Sequence, residues 1–204
     1  TAMALTIAPA FITNAYQAGF GVNTHKILLR IWPFILMATV TVWIGVNALT
    51  RVDVGLLTAI LGFLLVAYGV LNLLGFCLNI SSHSELALGL VLGAVNGILT
   101  GMTGSLGMPG VMYLQGIGLE RDQLLRGMGM LFAASTIALA FALSANALLP
   151  VELGIASFFA VLPALIGMWI GQNLRQCLSD LQFRRVFFFG ITLLGAQIML
   201  GTVV

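Results

Sequence analysis

Between Asn96 and Gly110 the sequence reads NGILTGMTGSLGMPG, which opens on an amide, Asn96, and in its Thr103–Gly110 part sets two hydroxyls, Thr103 and Ser105, around Gly104, Gly107 and Pro109. The chemistry open to this set is anion binding without formal charge. Amide and hydroxyl groups donate hydrogen bonds. Glycine lets backbone N–H groups approach a ligand closely. A helix starting near Pro109-Gly110 turns its first N–H groups, and the positive end of its dipole, toward a negative ligand. Proline suits that first turn, where its missing N–H costs little. Thr6, Asn14, Ser135 and Thr136 are polar residues in neighbouring apolar stretches that can face the same cavity; each reads equally well as a helix–helix hydrogen bond. Arg121 and Arg126 either attract anions at an entrance or form a solvated loop cluster with Glu120 and Asp122.

No catalytic residue, metal or cofactor is expected. Cys77 and Cys177 form no CxxC motif, and neither His25 nor His83 has a neighbouring partner set for metal or nucleophile chemistry.

The elements that carry these residues are read from hydropathy. The chain is 204 residues long, 60% hydrophobic and 7% charged, with mean hydropathy +1.12. A soluble domain carries about 25% charged residues, so the composition excludes one and points to an integral membrane protein in contact with the lipid bilayer. A net charge of +2 gives no reason to expect nucleic acid. The charges gather in short clusters. Between them lie apolar runs of roughly the twenty residues that span a bilayer: Ala2–Gly19, Ile31–Leu49, Val54–Phe76, a long run Leu86–Leu119, Gly127–Leu148, Leu153–Leu174 and Val186–Val204. None alternates polar and apolar residues as barrel strands do. The fold class is therefore all-α: a multi-pass helical bundle.

Leu86–Leu119 is too long for one span and too short for two. Gly89, Gly93, Gly97 and Gly101 recur every fourth residue and share one helix face, where small residues permit close packing in lipid. The stretch Thr103–Gly110 breaks the helix, and a short apolar arm, Val111–Leu119, follows. Irregular backbone at membrane depth is tolerated only inside protein or beside a watery cavity, so the break marks a candidate site. If the run crosses the membrane, alternate loops carry two Lys/Arg against six; if it re-enters, one side carries seven against one. The positive-inside rule favours the re-entrant form.

Trp43-Ile44-Gly45-Val46-Asn47 returns as Trp169-Ile170-Gly171-Gln172-Asn173, 126 residues later, and Phe63, Gly69 and Leu74 match Phe189, Gly195 and Leu200 at the same spacing. This register implies a duplication, with repeats over residues 1–80 and 81–204. Three crossings between equivalent positions make the halves inverted, as in many transporters. The first repeat has no counterpart of the run around Ser84–Arg126, so this reading expects the chain to begin inside a longer protein.

The segment GLVLGAVNGILTGMTGSLGMPGVMYLQGIGLERDQLLRGMGMLFAAS joins a glycine-rich break, a downstream proline, a charged loop and a small-residue helix. Together with the two-repeat layout it resembles the sulfite exporter TauE/SafE family. The resemblance implies a bacterial inner-membrane secondary transporter that exports or imports a small anion: sulfite, a sulfonate or a similar oxyanion. The family's run of consecutive glycines is replaced here by Gly104-Ser105-Leu106-Gly107. A channel-like anion facilitator and a non-transporting assembly subunit are the alternatives, and a homo-oligomer is left open. The residues expected to bind substrate are Asn96, Thr103, Gly104, Ser105, Gly107, Pro109, Ser135 and Thr6.

Overall fold

The computed structural model describes residues 2–19, 24–49, 51–75, 79–104, 109–149, 151–177 and 180–201. These residues form α1 (Ala2–Gly19), α2 (Thr24–Leu49), α3 (Val54–Leu73), α4 (Glu85–Thr103), α5 (Gly110–Gly116), α6 (Arg121–Ala145), α7 (Val151–Phe159), α8 (Val161–Cys177) and α9 (Asp180–Gly201), with no strand among them. Among the described residues, four segments are long and apolar enough to cross a membrane: Thr24–Leu49, Gly55–Leu73, Glu85–Thr103 and Asp122–Ala145.

The run Leu153–Leu174, expected as one span, is two helices that meet at Ala160. Pro163 explains the break. It has no N–H to donate to Phe159 O, and its ring crowds that carbonyl.

The central seam joins α2 to α4. On α2 the buried residues Ile27, Ile31, Phe34, Ala38, Thr41, Val42, Gly45 and Val46 fall three or four apart, which places them in one stripe. On α4 the matching stripe is Gly89, Gly93, Asn96, Gly97, Thr100 and Gly101. The glycines let the two backbones touch. A Cβ on Gly93 would meet Phe34 O, one on Gly97 would meet Ala38 O, and one on Gly101 would meet Val42 O. Contact positions rise together along both chains, so the helices run parallel. Thr41 Oγ1 adds a polar tie, lying 2.7 Å from Met37 O and 3.0 Å from Ala94 O.

Two further seams pair α3 with α9, where residues match at a spacing of 126, and α1 with α6. In α3–α9, Gly69 lies against Phe188 O and Thr192, while Gly195 lies against Gly62 O and Val66 N. Numbers rise on one helix as they fall on the other, so the pair is antiparallel. The seam is also reciprocal, because Phe188 and Thr192 are the spacing equivalents of Gly62 and Val66. In α1–α6, Gly129 approaches Asn14 O and Ala18 N, whereas Met3 and Ile7 pack near Leu139 and Leu143; this pair is antiparallel too.

Candidate functional site

The long apolar run folds as a re-entrant hairpin. α4 ends at Thr103 and Gly104 follows with φ +71°, the left-handed conformation that stops a helix cheaply at glycine. Pro109 caps α5. The two arms return to the same end of the bundle, as three contacts show. Arg30 grips Glu85 at the start of α4 through Nε–Oε1 and Nη2–Oε2, both 2.8 Å, and its Nη2 also donates to Ile117 O just beyond α5, at 2.9 Å. Tyr113 Oη donates to Glu85 O at 3.3 Å. Ile80 N donates to Gly116 O at 2.9 Å. Phe34 stacks on the Tyr113 ring, centroids 4.4 Å apart, and Gly89 leaves room for the phenol. A cavity of about 180 Å³ lies here, lined in part by Arg30, Ser82, Glu85 and Tyr113.

Deeper in, the hairpin is closed by one side chain. Asn96 Oδ1 accepts from Gly110 N at 2.9 Å, so the first N–H of α5, expected to face a ligand, is held by α4 instead. Two other expected donors are also engaged: Thr103 Oγ1 donates to Leu99 O at 2.7 Å, and Gly104 N donates to Thr100 O at 2.8 Å. Pro109 is half-buried, while Ser105 and Gly107 lie outside the described residues.

Thr6 is exposed on α1, its hydroxyl donating to Met3 O at 2.9 Å. It sits one turn from Met3, which touches Gly104. Thr103 borders a cavity of about 350 Å³ shared with Met3, Leu57, Thr58, Met102 and Leu143, apolar but for its two threonines. Ser135 is on α6, fully buried, and Thr136 beside it donates to Phe132 O at 2.7 Å. Asn14 is half-buried on α1. Arg126 is half-buried in the first turns of α6, which opens with a Glu120–Gln123 capping box.

The structure thus brings Asn96 together with the start of α5 and leaves Thr6 on the outer surface. Sequence reasoning missed Gly110 as the point of attachment and Arg30, Glu85 and Tyr113 as the fastening at the mouth of the hairpin. The only sequence signals were a lone acid at a helix start and a lone tyrosine in an apolar arm.

A family model described as Sulfite exporter TauE/SafE matches residues 1–198. The chain belongs to the TauE/SafE family. Searches for similar curated proteins and for similar solved structures found no match. Membership and the long apolar helices together make this TauE/SafE chain a multi-pass membrane transport protein. Its re-entrant hairpin is the irregular backbone through which such a protein can expose polar groups at membrane depth.

Proposed function

We propose that this TauE/SafE protein is a secondary transporter that carries a small oxyanion, sulfite or an organic sulfonate, across the bacterial inner membrane, with the substrate path at the α4–α5 break. The observation that carries this reading is the re-entrant hairpin. It puts a helix break next to the buried Asn96 and Gly110, in a chain whose family is named for sulfite export. Ionised residues fall at helix ends and in loops, so recognition relies on hydrogen bonds rather than on a buried ion pair. Buried charges are the usual mark of proton relays in membrane segments.

The repeats over residues 1–80 and 81–204 are read as inverted. The antiparallel packing of α1 on α6 and of α3 on α9 supports this, since equivalent helices then point opposite ways through the bilayer. Inverted halves let one seam open alternately to either side.

The test is initial-rate uptake of radiolabelled sulfite into proteoliposomes holding the full chain. A transporter gives saturable flux and counterflow of labelled against unlabelled anion. Linear flux without counterflow would replace the carrier with a facilitator. Flux no greater than in protein-free vesicles, for sulfite and for taurine alike, would remove the reading.

A further inference from the structure

Two buried side-chain groups have no hydrogen-bond partner among the described residues: Asn96 Nδ2 and Ser135 Oγ. Both residues are 0% exposed. Leaving such groups unsatisfied is costly, and in native structures it calls for an explanation.

The two orphans lie at one level of the bundle. On α4, Asn96 precedes Gly97, which abuts Ala38 of α2. On α6, Ser135 stands one turn after Leu131, which clusters with Phe34 and Ala38, and one turn before Leu139, which clusters with Val42 and Val46. Gly110 lies at the same place, because a Cβ built on it would meet Leu131 Cδ2 at 2.7 Å and Asn96 Oδ1 at 2.8 Å.

Ser135 also departs from the habit of hydroxyls in this bundle. Thr13, Thr39, Thr41, Thr103, Thr136 and Thr192 each donate to the carbonyl four residues back in their own helix. Ser135 makes no such bond, so its hydroxyl proton is available.

We propose that Asn96 Nδ2 and Ser135 Oγ are the donors that hold the transported oxyanion, and that Asn96 joins this site to the short arm α5. The proposal rests on the anion-transport reading above and adds the chemical sign of the site. An amide offers one acceptor and two donors. Here the oxygen accepts from Gly110 and the atom left without a partner is Nδ2, so the unsatisfied groups of Asn96 are N–H donors. A ligand that satisfies them must therefore bring acceptors, as sulfite and sulfonate oxygens do. Full burial means that a ligand reaches these donors only when α5 or α6 shifts. Because the same amide fastens Gly110, filling the site and moving the arm are coupled through one side chain.

The experiment uses the full chain in proteoliposomes and in detergent, with sulfite as the probe. Asn96→Asp keeps an oxygen for Gly110 N–H and nearly the same shape. Neutral, its carboxyl keeps one donor of the two; ionised, it keeps none and repels the anion. Ser135→Ala removes a single oxygen and leaves a side chain that fits any helix.

Each lost bond to a charged ligand weakens affinity roughly ten- to a hundredfold. Ser135→Ala is expected to raise the half-saturating sulfite concentration by that factor and Asn96→Asp by at least as much, and both should lose the rise in melting temperature that sulfite gives the parent. If both variants carry sulfite like the parent, the two groups serve structure or a buried water, and the proposal is overturned while anion transport stands. If the parent moves no anion, the transport reading falls and takes this one with it. Should Asn96→Asp fail to fold, Ser135→Ala decides alone, since parent-like affinity in that variant refutes the donor role.

Discussion

Gly45 and Gly171 sit in matching Trp-Ile-Gly stretches of the sequence but differ in packing, and exchanging each for alanine isolates the energy of the α2–α4 seam. A Cβ on Gly45 would run into Ile98 O and stand 2.8 Å from Gly101 Cα, whereas one on Gly171 meets nothing within 4 Å. Carbon atoms pack at about 3.5–4.0 Å, so Gly45→Ala must push α4 away from α2 by roughly 1 Å. A gap of that size forfeits a quarter to a half of each dispersion contact across the seam. Overpacking of this kind costs about 1–3 kcal/mol. Alanine also favours the helix over glycine by about 1 kcal/mol, but this gain applies to both sites and cancels in the comparison. Gly45→Ala should therefore be less stable than Gly171→Ala by about 1–3 kcal/mol, with Gly171→Ala at or slightly above the parent. Reversible unfolding in mixed detergent, followed by circular dichroism, measures the difference. Equal stability of the two variants would falsify the claim that glycine at 45 is there for backbone contact with α4.

Three further outcomes are expected. Arg30→Lys keeps the charge but loses the two-pronged grip on Glu85 and the bond to Ile117 O, so it should be destabilised nearly as much as Arg30→Ala; thermal unfolding checks this, and a lysine variant as stable as the parent contradicts it. Asp53→Ala removes the acceptor of Gly55 N–H at 2.8 Å and Leu56 N–H at 3.3 Å, which should cost about 1 kcal/mol as the cap of α3 is lost, read from the same unfolding curves. With Cys77 and Cys177 replaced, single cysteines at Asn47 and Asn173 should react with a membrane-impermeant maleimide from opposite sides in oriented vesicles; labelling from one side only would mean that the repeats are parallel.

Legibility in the sequence followed the range of each interaction. The stripe Gly89–Gly101 and the breakers Gly104 and Pro109 act within a turn or two, so their spacing announced a packed face and a helix break. The return of the chain to its starting side was legible too, through the placement of Lys and Arg. What closes the hairpin was not. Asn96 and Gly110 are 14 positions apart, and Arg30 and Glu85 are 55 apart; such pairs meet only once the break angle is set, and no local pattern encodes that angle. The donors expected at Thr103 and Gly104 are engaged within α4 for a related reason. A polar group at a helix end first satisfies the carbonyls of its own last turn, as both residues do. Pro163 was visible all along, but apolar length outweighed it in the reading of Leu153–Leu174 as one span.

The reciprocal α3–α9 seam is symmetric in outline and lopsided in stiffness. At one end Tyr68 meets Phe188 edge-on, ring centroids 5.3 Å apart at 82°, a pairing worth about 0.5–1.5 kcal/mol beyond its buried area. Their spacing equivalents are Leu194 and Gly62, so the opposite end is held by glycine backbone and aliphatic contact. Parting the two helices therefore costs more at the end that holds the aromatic pair. A perfectly twofold hinge would make its two tilted states equal in energy. Here the two ends differ, and exchanging Phe188 for leucine would lessen the difference.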